Sequence, residues 1–159
     1  MHDNIVSAIC VCELSLGLSY KNAIPWTFAE DRKLFQHYTM HHPVIMGYIT
    51  YKTLEAPLQM RQNYVLTSQK NLREGFIHLE RLEDGLRSMK NPYIIGGAQL
   101  YNYALQQDYI DQFIICRLHH KHIADTCLQM PWHNFTEPQI IFYGDSYSIM
   151  RYRKKTLHD

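Results

Sequence analysis

Ile94-Ile95-Gly96-Gly97-Ala98-Gln99-Leu100-Tyr101 is a short apolar run closed by paired glycines and followed at once by a helical pattern. It reads as a buried strand passing directly into a helix. Glycine lets backbone amides come close to a ligand, and a helix N-terminus favours an anion, which makes the junction a candidate pyrophosphate seat. It is not a full G-x-G-x-x-G, and by itself a Gly-Gly pair here is as often only a tight turn. A second junction of the same kind, Val44-Ile45-Met46-Gly47-Tyr48-Ile49-Thr50, lies earlier in the chain. There Thr50 is expected to cap the following helix and to offer a hydroxyl to phosphate. Two such junctions in one sheet predict an extended ligand with two phosphates, laid across the C-terminal ends of the strands.

Outward from these junctions the same alternation continues. Residues 4–12, 43–46, 63–66, 76–79 and 93–95 read as strands, several of them apolar almost throughout and so buried on both faces. Helices are expected at 29–41, 50–54, 82–89 and 99–106. Strand alternating with helix implies a mostly parallel α/β sheet with crossover connections. After Asp108 the pattern changes to strands at 112–118, 139–143 and 148–155 with no helix between them. Gly144-Asp145 turns the last two into a hairpin, so an antiparallel C-terminal edge is expected to close the sheet. No repeat, low-complexity tract or linker divides the chain, and residues 1–159 are expected to form one domain.

Composition excludes several classes of function. Of the 159 residues 46% are apolar and 19% charged, an ordinary balance for a chain able to bury a core. The formal net charge of +1 gives no bulk attraction for nucleic acid or an anionic membrane. Arg151-Tyr152-Arg153-Lys154-Lys155 is the one local basic excess, and its alternation suggests a solvated strand edge. No apolar run approaches a membrane span, and Met1-His2-Asp3-Asn4 lacks the layout of a signal peptide, which points to the cytoplasm. Cys10, Cys12, Cys116 and Cys127 show no C-x-x-C spacing and read as reduced, mostly buried residues. His120 and His122 could share a strand face, but no second cluster completes a ligand set, so no metal is expected.

The stretch Pro25-Trp26-Thr27-Phe28-Ala29-Glu30-Asp31 leads into the first helix. Proline disfavours helix at the residue before it, so the helix is expected to begin only after the Pro-Trp corner. Asp31, Phe35 and Thr39 then recur every four residues on one helical face. A carboxylate beside an aromatic ring suits a flat heterocycle, its donor edge read by the charge and its faces held by apolar walls. A solvated helix-start Asp favoured by the dipole accounts for the same residue taken alone.

Taken together, these pieces resemble dihydrofolate reductase across nearly the whole chain. The landmarks fall in order: the N-terminal apolar strand with Ala8, the loop from Gly17 to Pro25-Trp26, Asp31 with Phe35 and Thr39, Pro43 to Gly47 with Thr50, and Ile95-Gly96-Gly97 with Tyr101. Pro57-Leu58 with Arg61, Thr67-Ser68 and Asp125-Thr126 add to them. The resemblance implies NADPH-dependent reduction of 7,8-dihydrofolate to tetrahydrofolate, by hydride transfer to pterin C6 and protonation at N5. It casts Asp31 and Trp26 as catalytic, the first at the 2-amino and N3 edge, the second holding an ordered water. Val6, Ala8, Phe35, Leu54, Ile95 and Cys116 would line the substrate pocket, and Arg61 would clamp the glutamate carboxylate. Ala8, Gly17, Gly47, Thr50, Thr67, Ser68, Gln69, Arg81, Gly96, Gly97, Gln99, Leu100 and Tyr101 would meet the cofactor. The resemblance also implies binding of antifolates such as trimethoprim or methotrexate, and a monomer.

The chain departs from the family pattern at several places. Tyr48 and Ile49 stand where basic residues usually meet the cofactor's adenosine phosphates, which leaves NADH possible as a cofactor unless Ser68, Gln69 and Arg81 supply donors. Cys116 replaces a threonine, Met60 replaces a glycine before Arg61, and the Gly17 to Trp26 loop is longer than in the common bacterial form. Two other readings compatible with these departures are a folate- or nucleotide-binding pseudoenzyme and a riboflavin-pathway pyrimidine reductase.

Overall fold

Strand β1 (Ser7–Cys12) is buried along nearly its whole length, and the rest of the sheet is arranged around it. The computed structural model describes residues 4–24 and 29–159, with side chains in the first helix described from residue 32 onward. In chain order the remaining elements are β2 (Gly17–Ser19), α1 (Ala29–Thr39), β3 (Val44–Gly47), α2 (Tyr48–Thr53), β4 (Asn63–Leu66), β5 (Phe76–Leu79), α3 (Leu82–Ser88), β6 (Tyr93–Ile94), α4 (Ala98–Gln106), β7 (Gln112–Leu118), β8 (Thr126–Cys127), β9 (Gln139–Tyr143) and β10 (Tyr147–Arg153). Eight strands form one sheet in the order β5-β4-β3-β6-β1-β7-β10-β9. The pairings from β5 through β7 are parallel, and β10 runs antiparallel to both neighbours. This is the α/β sheet with an antiparallel C-terminal hairpin that the sequence pattern predicts. Because the strands are parallel, β1, β3, β4, β5 and β6 all end on one edge, where open α/β sheets bind ligands.

The period-two alternation of β1 separates two cores. Val6, just ahead of the strand, with Ala8, Cys10 and Cys12 packs against Leu82, Leu100, Tyr101 and Ala104 of α3 and α4. Ile9 packs on the other face with Val44, Met46, Tyr51, Ile114 and Cys116, against which Phe35, Tyr38 and Leu54 rest. Cys10, Cys12 and Cys116 are buried, Cys127 is exposed, and all four are unbridged thiols.

Side-chain capture of backbone groups explains the later start of the first strand. The first strand starts at Ser7 rather than residue 4 because neighbouring side chains occupy the backbone there. Asn91 Oδ1 accepts from Ile5 N at 2.8 Å, Asp111 Oδ2 accepts from Val6 N at 2.8 Å, and Asn4 Nδ2 donates to Met89 O at 3.2 Å. Helix α1 stops at Thr39, whose hydroxyl donates to Phe35 O, and His41 then takes a φ of 67°. Thr50 does not cap α2. The helix begins two residues earlier, with Gly47 at the cap position and Thr50 inside the first turn. The pairing of β2 with β8 went unread in the sequence, since a three-residue and a two-residue strand are too short for any period to show. The basic run is not an edge: β10 lies between β7 and β9, and Arg151 reaches over the Tyr38 ring and to Gln139. His120 and His122 lie past the end of β7, not on a strand. Their rings are 4.6 Å apart, and no group of three metal-ligating side chains occurs among the described residues.

Candidate active site

The two strand–glycine–helix junctions meet in space. Their strands, β3 and β6, are neighbours, and Gly47 N donates to Gly96 O at 2.8 Å. A Cβ at Gly97 would lie 3.7 Å from Thr50 Oγ1, so that hydroxyl stands beside the start of α4 although it caps no helix. Gly96 has a φ of +116°, a region open to glycine, and a Cβ there would meet the Tyr101 ring at 3.2 to 3.3 Å. No side chain caps α4, whose cap residue is Gly97, so its first-turn amides remain available to an anion.

Other positions expected at the cofactor divide into supports and surface. Tyr101 is buried and donates its hydroxyl to Ile9 O at 2.6 Å, tying α4 to β1, and Leu100 is buried beside it. Gln99 lines a cleft of ≈ 520 Å³ with Asn102, Gln129 and Pro131. Gly17 N donates to Oε1 of the buried Glu13 at 2.7 Å, and a Cβ at Gly17 would come within 2.5 Å of Ala124 Cβ, so only glycine fits there. Thr67 Oγ1 accepts from Gln69 N beyond the end of β4, where Ser68 and Gln69 are exposed. Arg81 caps α3 from an extended backbone, with a 68% exposed side chain.

On the other side of the sheet edge, Phe35, Leu54 and Ile95 rest on the core cluster that contains Cys116. Val6 and Ala8 point to the opposite face, and the β1 side chains on Phe35's face are Ile9 and Val11. A one-residue offset in reading an apolar strand exchanges its two faces. Arg61 donates from Nε to Gln59 O at 2.8 Å and from Nη1 to Thr39 Oγ1 at 2.9 Å, with its guanidinium carbon 6.0 Å from the Phe35 ring centre. No ion pair joins it to a described carboxylate, and partial burial lowers its pKa from the ordinary arginine value. A guanidinium held by neutral acceptors keeps its charge for an incoming anion.

Trp26 lies outside the described residues, and so does the side chain of Asp31, whose backbone is in the first turn of α1. Asn63, which the sequence reading did not single out, holds the Arg61 loop from beneath. It is 1% exposed, accepts from Leu58 N at 2.9 Å, and donates to Leu58 O at 3.0 Å and Arg61 O at 2.9 Å. Its only signal in the sequence is a polar amide opening an apolar strand. Glu13 was also passed over; besides Gly17 it accepts from His122 N at 3.2 Å, joining two loops at the end of β1.

Comparison with known proteins agrees with this layout. The family model described as dihydrofolate reductase matches residues 5–148. The chain belongs to the dihydrofolate reductase family. A dihydrofolate reductase of Buchnera aphidicola subsp. Baizongia pistaciae is 31% identical over 144 residues, covering 86% of this chain and 87% of that one. The enzyme of Buchnera aphidicola subsp. Acyrthosiphon pisum is 35% identical over 104 residues, 63% of this chain and 65% of the other. Among solved structures, a dihydrofolate reductase from Enterococcus faecalis, complexed with NADP(H) and RAB-propyl, superposes with a TM-score of 0.81 at 19% identity, covering 96% of this chain and 97% of that one. The fold is thus that of the dihydrofolate reductases, and the chain is an oxidoreductase of this family.

Proposed function

We propose that this chain catalyses the NADPH-dependent reduction of 7,8-dihydrofolate to 5,6,7,8-tetrahydrofolate. The observation supporting this reading is an anion seat at the strand ends, at Gly47 and Gly96, together with a neutral-held guanidinium at Arg61 just ahead of β4, with Phe35, Leu54 and Ile95 packed on one face of the sheet. Gly96, Gly97 and Thr50 fit a pyrophosphate, since the uncapped first-turn amides of α4 and the Thr50 hydroxyl stand together at this junction, which the Gly47 N to Gly96 O bond holds closed against β3. When bound, the nicotinamide supplies the hydride to pterin C6. Asp31 binds the 2-amino and N3 edge and raises the basicity of N5, and Trp26 holds the water that delivers the proton. Phe35, Leu54, Ile95 and Ile9 enclose the ring, Val6 and Ala8 act through their backbone, and Arg61 holds the glutamate carboxylate.

The chain works as one domain and as a monomer in the cytoplasm, without nucleic acid; no helix among the described residues is long and apolar enough to cross a membrane. Antifolates occupy the Asp31–Phe35–Arg61 side. The family match favours neither a pyrimidine reductase nor an eroded binding protein. Nicotinamide absorbance followed with dihydrofolate, with NADPH and NADH in parallel, tests the reading. Oxidation of the cofactor is expected; folded protein inactive with both would overturn it.

A further inference from the structure

One cleft near the sheet edge is rimmed by charges that a 2′-phosphate would not favour. It has a volume of ≈ 470 Å³ and is lined by Leu66, Glu80, Arg81, Leu82, Glu83 and Tyr103. Outward from Gly96 at β6, the strand ends are Gly47 on β3, Leu66 on β4 and Leu79 on β5, with Gly47 in register with Leu66 and Leu66 with Leu79. At about 4.8 Å per strand, the end of β5 is on the order of 14 Å from the glycine pair. A nucleoside attached to a pyrophosphate at that pair and extending across the strand ends arrives at this cleft.

The half-buried Leu66, backed by the buried Leu82, offers the base an apolar surface, and the polar groups stand where the ribose would be read. Glu83 Oε2 accepts from the Tyr103 hydroxyl at 2.5 Å and from the Tyr109 hydroxyl at 2.8 Å. Glu83 Oε1 lies 4.0 Å from Arg81 Nε. These tyrosine donors, with the Glu83 backbone amide, hold the Glu83 carboxyl down at about 2, so it is charged at any working pH. Glu80 is exposed beside it. The charged groups lining the cleft are therefore two carboxylates and one guanidinium, the last already facing a carboxylate. Tyr48 and Ile49, following Gly47, are neutral, and Lys52 lies with its Nζ 5.3 Å from the Tyr48 ring centre.

We propose that this cleft takes the cofactor's adenosine as its free 2′,3′-diol, with Glu83 and Glu80 as the specificity-determining residues that accept from ribose hydroxyls and repel a 2′-phosphate. A carboxylate reading the ribose 2′-hydroxyl selects NAD, whereas an unopposed cation accommodates NADP. NADH then supports turnover nearly as well as NADPH. The inference rests on the reading of the chain as a nicotinamide-dependent reductase whose pyrophosphate sits at Gly96–Gly97.

The test measures kcat/KM for NADPH and NADH with dihydrofolate, and Kd for NADP+ and NAD+ by calorimetry, in wild type, Glu83→Gln and Glu80→Lys. The wild-type preference for the phosphorylated cofactor is expected to be within about tenfold, and each variant raises it about five- to tenfold, chiefly through the NADPH KM. That gain shrinks as salt is added. A wild-type preference for NADPH above about a hundredfold would overturn the proposal, a gap of about 2.7 kcal/mol. So would a proportional response of both cofactors in either variant with an unaltered melting temperature, or the failure of both dinucleotides to bind. If the dinucleotides bind with the expected ratio but neither is oxidised, the cleft assignment stands and the reductase function fails.

Discussion

Asn63 shows how much one buried amide can control at a distance from the chemistry. Its carboxamide makes the three hydrogen bonds that shape residues 58–61, and the last of these residues carries the guanidinium. Asn63→Ala leaves those partly buried backbone groups without their amide partner, and a destabilisation of about 1–3 kcal/mol is expected in urea unfolding. The dihydrofolate KM should rise in the same variant, because Arg61 loses the loop that aims it. Arg61→Lys acts on the substrate alone: a point charge replaces a planar fork, so folate affinity falls about tenfold while cofactor affinity is unaltered. Titrating both ligands decides this, and weakened NADPH binding would move Arg61 to the other ligand. Asp31→Asn is expected to fold but to lose about a hundredfold or more in turnover near neutral pH, since an amide cannot carry the charge that polarises the pterin. The deficit narrows at low pH, where the substrate arrives protonated, and a pH profile of kcat/KM reads it out. Wild-type activity at neutrality would remove Asp31 from the mechanism.

At the scale of elements, the glycine junction separates support from contact. Gly96 turns β6 toward α4 at a φ of +116°, with the Tyr101 ring 3.2 to 3.3 Å from where a Cβ would be. Gly96→Ala should therefore cost stability, about 1–3 kcal/mol, from the strained backbone and the displaced ring. A Cβ at Gly97 meets only Thr50 Oγ1 at 3.7 Å, an ordinary contact. Gly97→Ala should fold nearly as well as wild type yet bind NADPH more weakly, because its methyl group occupies the approach to the amides. Thermal melts with and without NADPH distinguish the two variants; equal losses of stability would mean that both glycines serve the fold. Much of this level could be read from residues alone, since strand-to-helix alternation and paired glycines announce the junctions. Cap positions could not. Gly47 rather than Thr50 begins α2 because where a helix starts depends on how the strand before it ends, and β3 runs on to Gly47 to pair with Leu66.

Across the whole molecule, Glu83 joins α3 to α4 through Tyr103 and to the following loop through Tyr109. Hydrogen bonding, first from Tyr103, lowers the Glu83 carboxyl from 4.5 to about 2, and the same bond raises the Tyr103 hydroxyl from 10.0 to about 12. A depressed acid stabilises above its unfolded pKa and loses that contribution as pH falls toward the folded value; a raised hydroxyl stabilises below its unfolded pKa and loses it as pH climbs. The difference in melting temperature between wild type and Tyr103→Phe should therefore be steady from about pH 5 to 9 and narrow below about pH 4. Partial exposure of both side chains keeps the effect small. A difference that stays constant down to about pH 2 would show that the carboxylate contributes nothing through this contact. What the sequence determined by itself was the strand and helix alternation and the antiparallel hairpin at Gly144-Asp145, both of which show in short-range pattern. Only the tertiary structure decided which face of β1 carries Ile9 and which carries Ala8, how Asn63 fixes the Arg61 loop, and that Arg81 shares its cleft with Glu80 and Glu83. The two faces of β1 follow from packing against residues distant in the chain, where a one-residue offset reverses the outcome, whereas the Asn63 and Arg81 contacts join close neighbours in sequence but follow no period that would announce them.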